Sequence, residues 1–299
     1  MKPIKILSRN IAKNTTLSSK NKYLITKEIH VHPGVRLTIQ DRTEIYILNG
    51  LVLGPHLKRA ALIFESGSQL RAEKFTLKAA NPNGRAVKHA DNGGLWFCGN
   101  YQSANKDNIS IKANPRKRKS QFIAKEIKSF YLGRLDPNST KTTRKQQKPN
   151  NFGDDLDAIS VMGVGREEWV IESIKSFYSG DDGFDVTNSN IVLNRIDVKE
   201  PVEDGLNITS SRLQIVKKLS IQMGIKGKDR DLFDLETDEG GSYIEISKGC
   251  QINLEGVFGD ELILSSEDMP KFKKSKSSTY KFKGASRKSD SLIYSITMD

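Results

Sequence analysis

The chain has 299 residues, 36% of them hydrophobic, and 48 Lys and Arg against 36 Asp and Glu give it a net charge of +12. That length buries one large core or two modest ones, and no apolar run reaches the roughly 20 residues that a membrane-spanning helix needs. Two cysteines, Cys98 and Cys250, are too few for a disulfide framework; they point to two buried thiols, with one bridge as the alternative.

The opening MKPIKILSRNIAKNTT has basic residues but no apolar core of a secretion signal. The protein is therefore cytoplasmic, or secreted or surface-bound after removal of a leader. Short alternating runs separated by Gly, Pro or Asn turns follow: KEIHVHPGVRLTIQ from Lys27, EIYILNGLVLG from Glu44 and ALIFESGSQLRAEKFTLKAA from Ala61. His30 and His32 fall on one face of their strand, where a structural role is more ordinary than a shared metal. In GGLWFCGN, from Gly93, the alternation makes one of Trp96 and Phe97 a core residue and the other a surface residue. An aromatic side chain beside a groove can stack on a sugar ring, although packing is its commoner use.

Positive charge concentrates next. Residues 101–150 carry thirteen Lys or Arg against three acids, a local +10, and a second basic run, KFKKSKSSTYKFKGASRK, lies near the C-terminus. Such blocks suit a polyanion, whether an acidic polysaccharide, a nucleic acid or an anionic surface, or serve as solvated loops. PRKRKS at 115–120 resembles a nucleic-acid patch, but no interleaved aromatics accompany it, which ranks nucleic acid below polysaccharide. Residues 134–152, nearly free of apolar side chains, read as a loop thrown out between coils, and the chain from about 266 as a cap or tail.

The middle of the chain repeats. IKSFY occurs at Ile127 and again at Ile174, an offset of 47 residues that reads as about two coils of a short-repeat solenoid. The single coil appears in DAISV from Asp157, DGFDV from Asp182, DGLNI from Asp204 and DLFDL from Asp231, spaced by 25, 22 and 27 residues. Between them run further short strands, and the three- and four-residue apolar spacing of an amphipathic helix is missing. The expected architecture is all-β: one domain spanning 1–299, a parallel β-helix of roughly 22–27-residue coils.

In such a solenoid equivalent positions stack at about 4.8 Å. Asp157, Asp182, Asp204 and Asp231 then form one column, and Ser160, Asp185, Asn207 and Asp234 a second beside it. Carboxylates this close repel unless water or a cation compensates them, and an all-oxygen set without His or Cys suits Ca²⁺. The alternative is a row of solvated turn residues, since Asp-Gly is a common turn dipeptide.

The lone Asp157 followed a coil later by Asp181, Asp182, Gly183, Phe184 and Asp185 resembles the calcium-site pattern of the family 9 polysaccharide lyases, right-handed parallel β-helix enzymes of the pectate lyase type. The resemblance covers about 150–210 and implies metal ligation by Asp157, Asp181, Asp182 and Asp185. It also implies an acidic, uronate-containing polysaccharide as substrate and β-elimination by a lysine base. At the lysine's place this chain has Asn207, which takes up no proton at working pH. Lys217, Lys218 and Arg212 are the candidates to replace it, while Asp204, Asn207, Arg195 and Lys199 are expected to contact substrate. Two other readings stand beside this one. A non-catalytic β-helix would bind carbohydrate, adhere, or form a viral surface. The GDDG motif also resembles the paired aspartates of β-helix polygalacturonases, which would make Asp181, Asp182 and Asp204 general acids and bases of a glycoside hydrolase without metal.

Overall fold

The structure is a computed structural model that describes residues 2–52, 58–99, 119–134, 156–224, 231–236, 240–247, 250–257 and 280–281. Every regular element among them is a strand, and none is a helix long and apolar enough to cross a membrane. Three sheets dominate. One includes Thr43–Leu48, Lys74–Ala80, Glu126–Phe130, Ser173–Phe177, Asn190–Lys199 and Arg212–Gln222; a second includes Arg36–Ile39, Gln69–Ala72, Gln121–Ala124 and Trp169–Ile171. The third runs Glu28–Val31, Ala61–Phe64, Leu95–Cys98, Ile159–Met162, Phe184–Thr187, Leu206–Thr209 and Phe233–Glu236.

Neighbours in all three sheets pair in parallel, and the chain visits the sheets in rotation. Gln69–Ala72 in the second sheet leads to Lys74–Ala80 in the largest and then to Leu95–Cys98 in the third. Each full rotation adds one rung, which makes the assembly a solenoid-like stack of parallel sheets. In two rungs a single long strand, Asn190–Lys199 and then Arg212–Gln222, replaces the two short ones, with a register shift between Leu193 and Arg195, before Tyr243–Ile246 and Gln251–Val257 divide the rung again.

Alternation along each strand decides what is inside. On the third sheet Leu95, Phe97, Ile159, Val161, Phe184, Val186, Leu206 and Ile208 are fully buried, while the residues between them face outward. Phe97 stacks on Phe64 at 5.1 Å and meets Phe122 and Trp169 edge-on, so aromatic rings from two sheets fill the interior. Trp96 is the outward, half-buried member of its pair. Cys98 and Cys250 are free thiols, each only partly buried, so neither the bridge nor two buried cysteines is found.

The coil keeps the expected 22–27 residues from Ser160 through Asp185 and Asn207 to Asp234 and departs from that range earlier in the chain. Ile29, Leu62 and Leu95 succeed one another at 33 residues, and Leu95 pairs with Ile159, 64 residues on. The 47-residue offset is likewise one rung: Ile127, Lys128, Ser129 and Phe130 pair directly with Ile174, Lys175, Ser176 and Phe177. Within that interval Arg134 and Leu156 are joined by reciprocal backbone bonds of 2.6 and 2.9 Å. The loop expected over 134–152 beyond Arg134, the basic run around 115–118 and the tail from 266, apart from 280–281, lie outside the described residues.

Inward and outward neighbours should differ sharply on mutation. Phe97→Ala is expected to cost about 3–5 kcal/mol by opening the aromatic interior, and Trp96→Ala clearly less, as read by urea denaturation of both variants.

Candidate metal centre

The two predicted columns are present in register. Ser160 pairs with Asp185, Asp185 with Asn207 and Asn207 with Asp234 on adjacent strands of the third sheet. Three residues earlier, at the corner where each strand begins, Asp157, Asp182, Asp204 and Asp231 follow one another in the same order. The first column also has a structural task that the sequence pattern did not suggest. Asp182 Oδ1 accepts the backbone N–H of Asp204 at 2.8 Å, and Asp204 Oδ1 accepts that of Asp231 at 2.6 Å. Each carboxylate therefore fastens its rung to the next.

Gly183 follows for a packing reason. A Cβ there would run into Val198 and approach the carbonyl oxygen of Gly205 to 2.6 Å, so the Asp-Gly pair marks close approach between rungs. Asp181, Asp182, Asp185 and Asp204 are only 2%, 5%, 8% and 8% exposed, which removes the reading of these acids as solvated turn residues.

The acids converge on a groove of roughly 310 Å³ lined by Asp157, Asp181, Asp182, Glu203, Asp204, Asn207, Asp234 and Glu236. Within it, one carboxylate oxygen from each of Asp181, Asp182 and Glu203 lies within 4.8 Å of the others, a grouping able to hold a metal ion. Glu203 was not among the expected ligands. Its place is nevertheless readable, because it stands immediately before Asp204 as Asp181 stands before Asp182.

The expected ligands divide. Asp157, Asp181 and Asp182 line the groove, and Ser160 Oγ donates to Asp157 Oδ2 at 3.0 Å. Asp185 is buried beside them and accepts a bond from Thr187 Oγ1 at 3.2 Å, outside both the three-carboxylate grouping and the groove lining. Of the expected substrate contacts, Asp204 and Asn207 reach the groove. The Thr209 hydroxyl lies 3.1 Å from Asn207 Oδ1 and 2.8 Å from Glu236 Oε2 and orients both.

The basic candidates lie elsewhere. Arg195, Lys199, Arg212, Lys217 and Lys218 sit on Asn190–Lys199 and Arg212–Gln222, strands of the largest sheet, and none of them lines the groove. Lys218 Nζ is 3.6 Å from Asp197, Arg212 is 3.6 Å from Glu245 and 5.1 Å from the Tyr243 ring, and Lys199 lies beside Glu200 and Tyr178. Lys217 is exposed in mid-strand. No described lysine, arginine or histidine lines the groove. His30, far along the same sheet, is held between Glu65 at 3.0 Å and Glu28 at 3.7 Å.

Burial dominates the electrostatics. Desolvation raises Asp182 well above the ordinary carboxylate range, and the charges of Asp157, Asp204 and Asp181 add to it. Asp185 rises for the same first reason, with Asp157 next. Desolvation also pushes Asp204 up to about 8, opposed by the Asp231 N–H and aided by Asp234, Asp231 and Glu203. A carboxyl whose pKa is raised in the folded state holds its proton there and loses it in the unfolded chain, so folding is favoured as pH falls. No family model matches the chain, and neither a curated protein nor a solved structure matches it.

Without added cation, thermal stability should therefore rise as pH is lowered through about 8 toward the ordinary carboxylate range, and Asp204→Asn should flatten that rise. Melting curves in chelator between pH 9 and pH 5.5 would read both effects. A stability that falls steadily over this window would contradict the buried, mutually repelling acids.

Proposed function

We propose that the groove binds a hard divalent cation, with Ca²⁺ the best match, and through it holds the carboxylates of an acidic polysaccharide. The observation that carries this reading is the convergence of Asp181, Asp182 and Glu203 in a groove walled by four further carboxylates. An all-oxygen donor set favours Ca²⁺ over softer metals, and a cation also relieves the repulsion between the buried acids. A bound calcium supplies a positive charge that bridges protein carboxylates to an anionic sugar. Asp204, Asn207, Asp234 and Glu236 continue the groove over the following rungs and extend the polar surface along which a chain would lie.

The same reading takes the architecture as a right-handed parallel β-helix, since parallel strands joined by crossovers are right-handed in about 98% of cases. The resemblance to family 9 polysaccharide lyases belongs here too, through Asp157, Asp181 and Asp182. Its elimination chemistry needs a base within hydrogen-bond reach of the sugar, and the described groove offers carboxylates and Asn207. Cation-dependent binding is thus the primary activity proposed, with elimination as its extension.

One observation favours a second reading, glycoside hydrolysis by paired acids. Asp204 at about 8 keeps its proton at neutral pH, as a general acid must. Calcium would suppress that chemistry by lowering the pKa of the groove acids, whereas it would promote binding or elimination.

Titration calorimetry should show Ca²⁺ binding that weakens at least tenfold in Asp181→Asn and Asp182→Asn, about 1.4 kcal/mol or more each. Polygalacturonate should bind at least tenfold more tightly with Ca²⁺ present than in chelator. Ultraviolet absorbance of an unsaturated product would add elimination, and new reducing ends formed in chelator would establish hydrolysis instead. Tight polygalacturonate binding unaffected by chelator and by both substitutions would overturn the cation reading.

A further inference from the structure

Beyond the acidic groove, the same corner of the stack carries a compact basic site. Arg59 Nε donates to Asp91 Oδ1 at 2.7 Å, and Arg134 Nε lies 3.7 Å from the same oxygen. The two arginine side chains are only 10% and 16% exposed, while Asp91 is 36% exposed. Two largely desolvated guanidinium groups thus share one carboxylate among the described residues, leaving one positive charge in excess. A desolvated charge is costly without a counter-charge, and guanidinium presents several donors in a planar fork suited to a carboxylate.

The site is held in place by backbone geometry. Buried Asn92 donates to Asn49 Oδ1 at 2.8 Å and to the Tyr131 carbonyl at 3.1 Å, and its own Oδ1 accepts the Gly94 and Gly133 N–H groups. Asp91 N–H donates to Asn49 Oδ1 at 3.3 Å. Arg134 is pinned through both backbone bonds to Leu156. Gly180, next to the groove residue Asp181, packs so closely against this corner that a Cβ there would lie 2.8 Å from the Arg134 backbone nitrogen.

The register places the basic site relative to the groove. Leu95 pairs with Ile159, and Ser160 with Asp185, so Asn92, Leu156 and Asp181 occupy one corner position on three successive rungs. Two rungs correspond to about 10 Å along the stack. Acid and base therefore line one edge in sequence: Asp91 with its arginines first, then Asp181, Asp182 and Glu203.

We propose that Arg59 and Arg134 form an anion subsite that takes a carboxylate of the acidic polysaccharide directly, without a cation, beside the groove that takes others through calcium. This rests on the reading of the groove as a polysaccharide site. It lays the polysaccharide along the stack, with a metal-independent contact on the N-terminal side of the metal.

Arginine Nε–Hε signals in a ¹⁵N-correlated spectrum report the subsite directly, assigned through Arg59→Lys and Arg134→Lys, with melting curves confirming that both variants fold. Trigalacturonate is titrated into the full chain, once in chelator and once with Ca²⁺. The Arg59 and Arg134 signals should move in chelator, and each lysine variant should weaken trigalacturonate binding at least fivefold. Unmoved arginine signals beside calcium-dependent binding would overturn the subsite and leave the groove reading standing. Moving signals without any calcium-dependent binding would support the subsite and overturn the groove reading. Unmoved signals with no binding in either condition would overturn both.

Discussion

Everything about this protein's acidic edge depends on the parallel register that sets like residues of successive rungs about 4.8 Å apart. In a solvated loop Asp157, Asp181, Asp182, Asp185 and Asp204 would repel weakly across water. Stacked on one sheet edge and withdrawn from solvent, the last four are nearly inaccessible, and each charge raises its neighbours' pKa. The fold thereby stores an electrostatic conflict that protons or a cation resolve.

The stack withstands the conflict because the interior and the corners are satisfied separately. Phe64, Phe97, Phe122, Phe184 and Phe233 are buried away from the acids and drive assembly by apolar burial. At the corner, Asp182 and Asp204 each accept a backbone N–H from the next rung, so part of their hydrogen-bonding capacity is spent on the scaffold. One set of residues thus serves as both fastening and site. Removing such an aspartate weakens the corner as well as the groove, whereas a change to asparagine retains a carbonyl acceptor.

Much of this was legible because solenoids convert sequence spacing into spatial adjacency. The four Asp-headed segments fall in the predicted register, residue for residue, and Trp96 and Phe97 divide as alternation requires. Spacing does not always report distance: IKSFY recurs at 47 residues yet pairs directly, so nearly twice the length of a short coil separates two adjacent rungs. Glu203 is hidden because the repeating segment begins at its aspartate, one residue too late to show the Asp181 and Glu203 column. The basic candidates Arg195, Arg212, Lys217 and Lys218 were near in sequence but belong to strands of another sheet, and proximity along the chain says nothing about which side of a rung a residue occupies. The Arg59, Asp91 and Arg134 grouping was invisible for the opposite reason, its members being drawn from three rungs with no shared motif.

The stacking of desolvated carboxylates is tested most directly by following the side-chain carboxyl ¹³C signals of Asp182 and Asp204 against pH, in chelator and with Ca²⁺. In chelator both should titrate well above the ordinary carboxylate range, Asp204 near 8, and calcium should drive both midpoints down. Midpoints near 4 for both groups, unmoved by calcium, would contradict the buried column and the cation reading built on it.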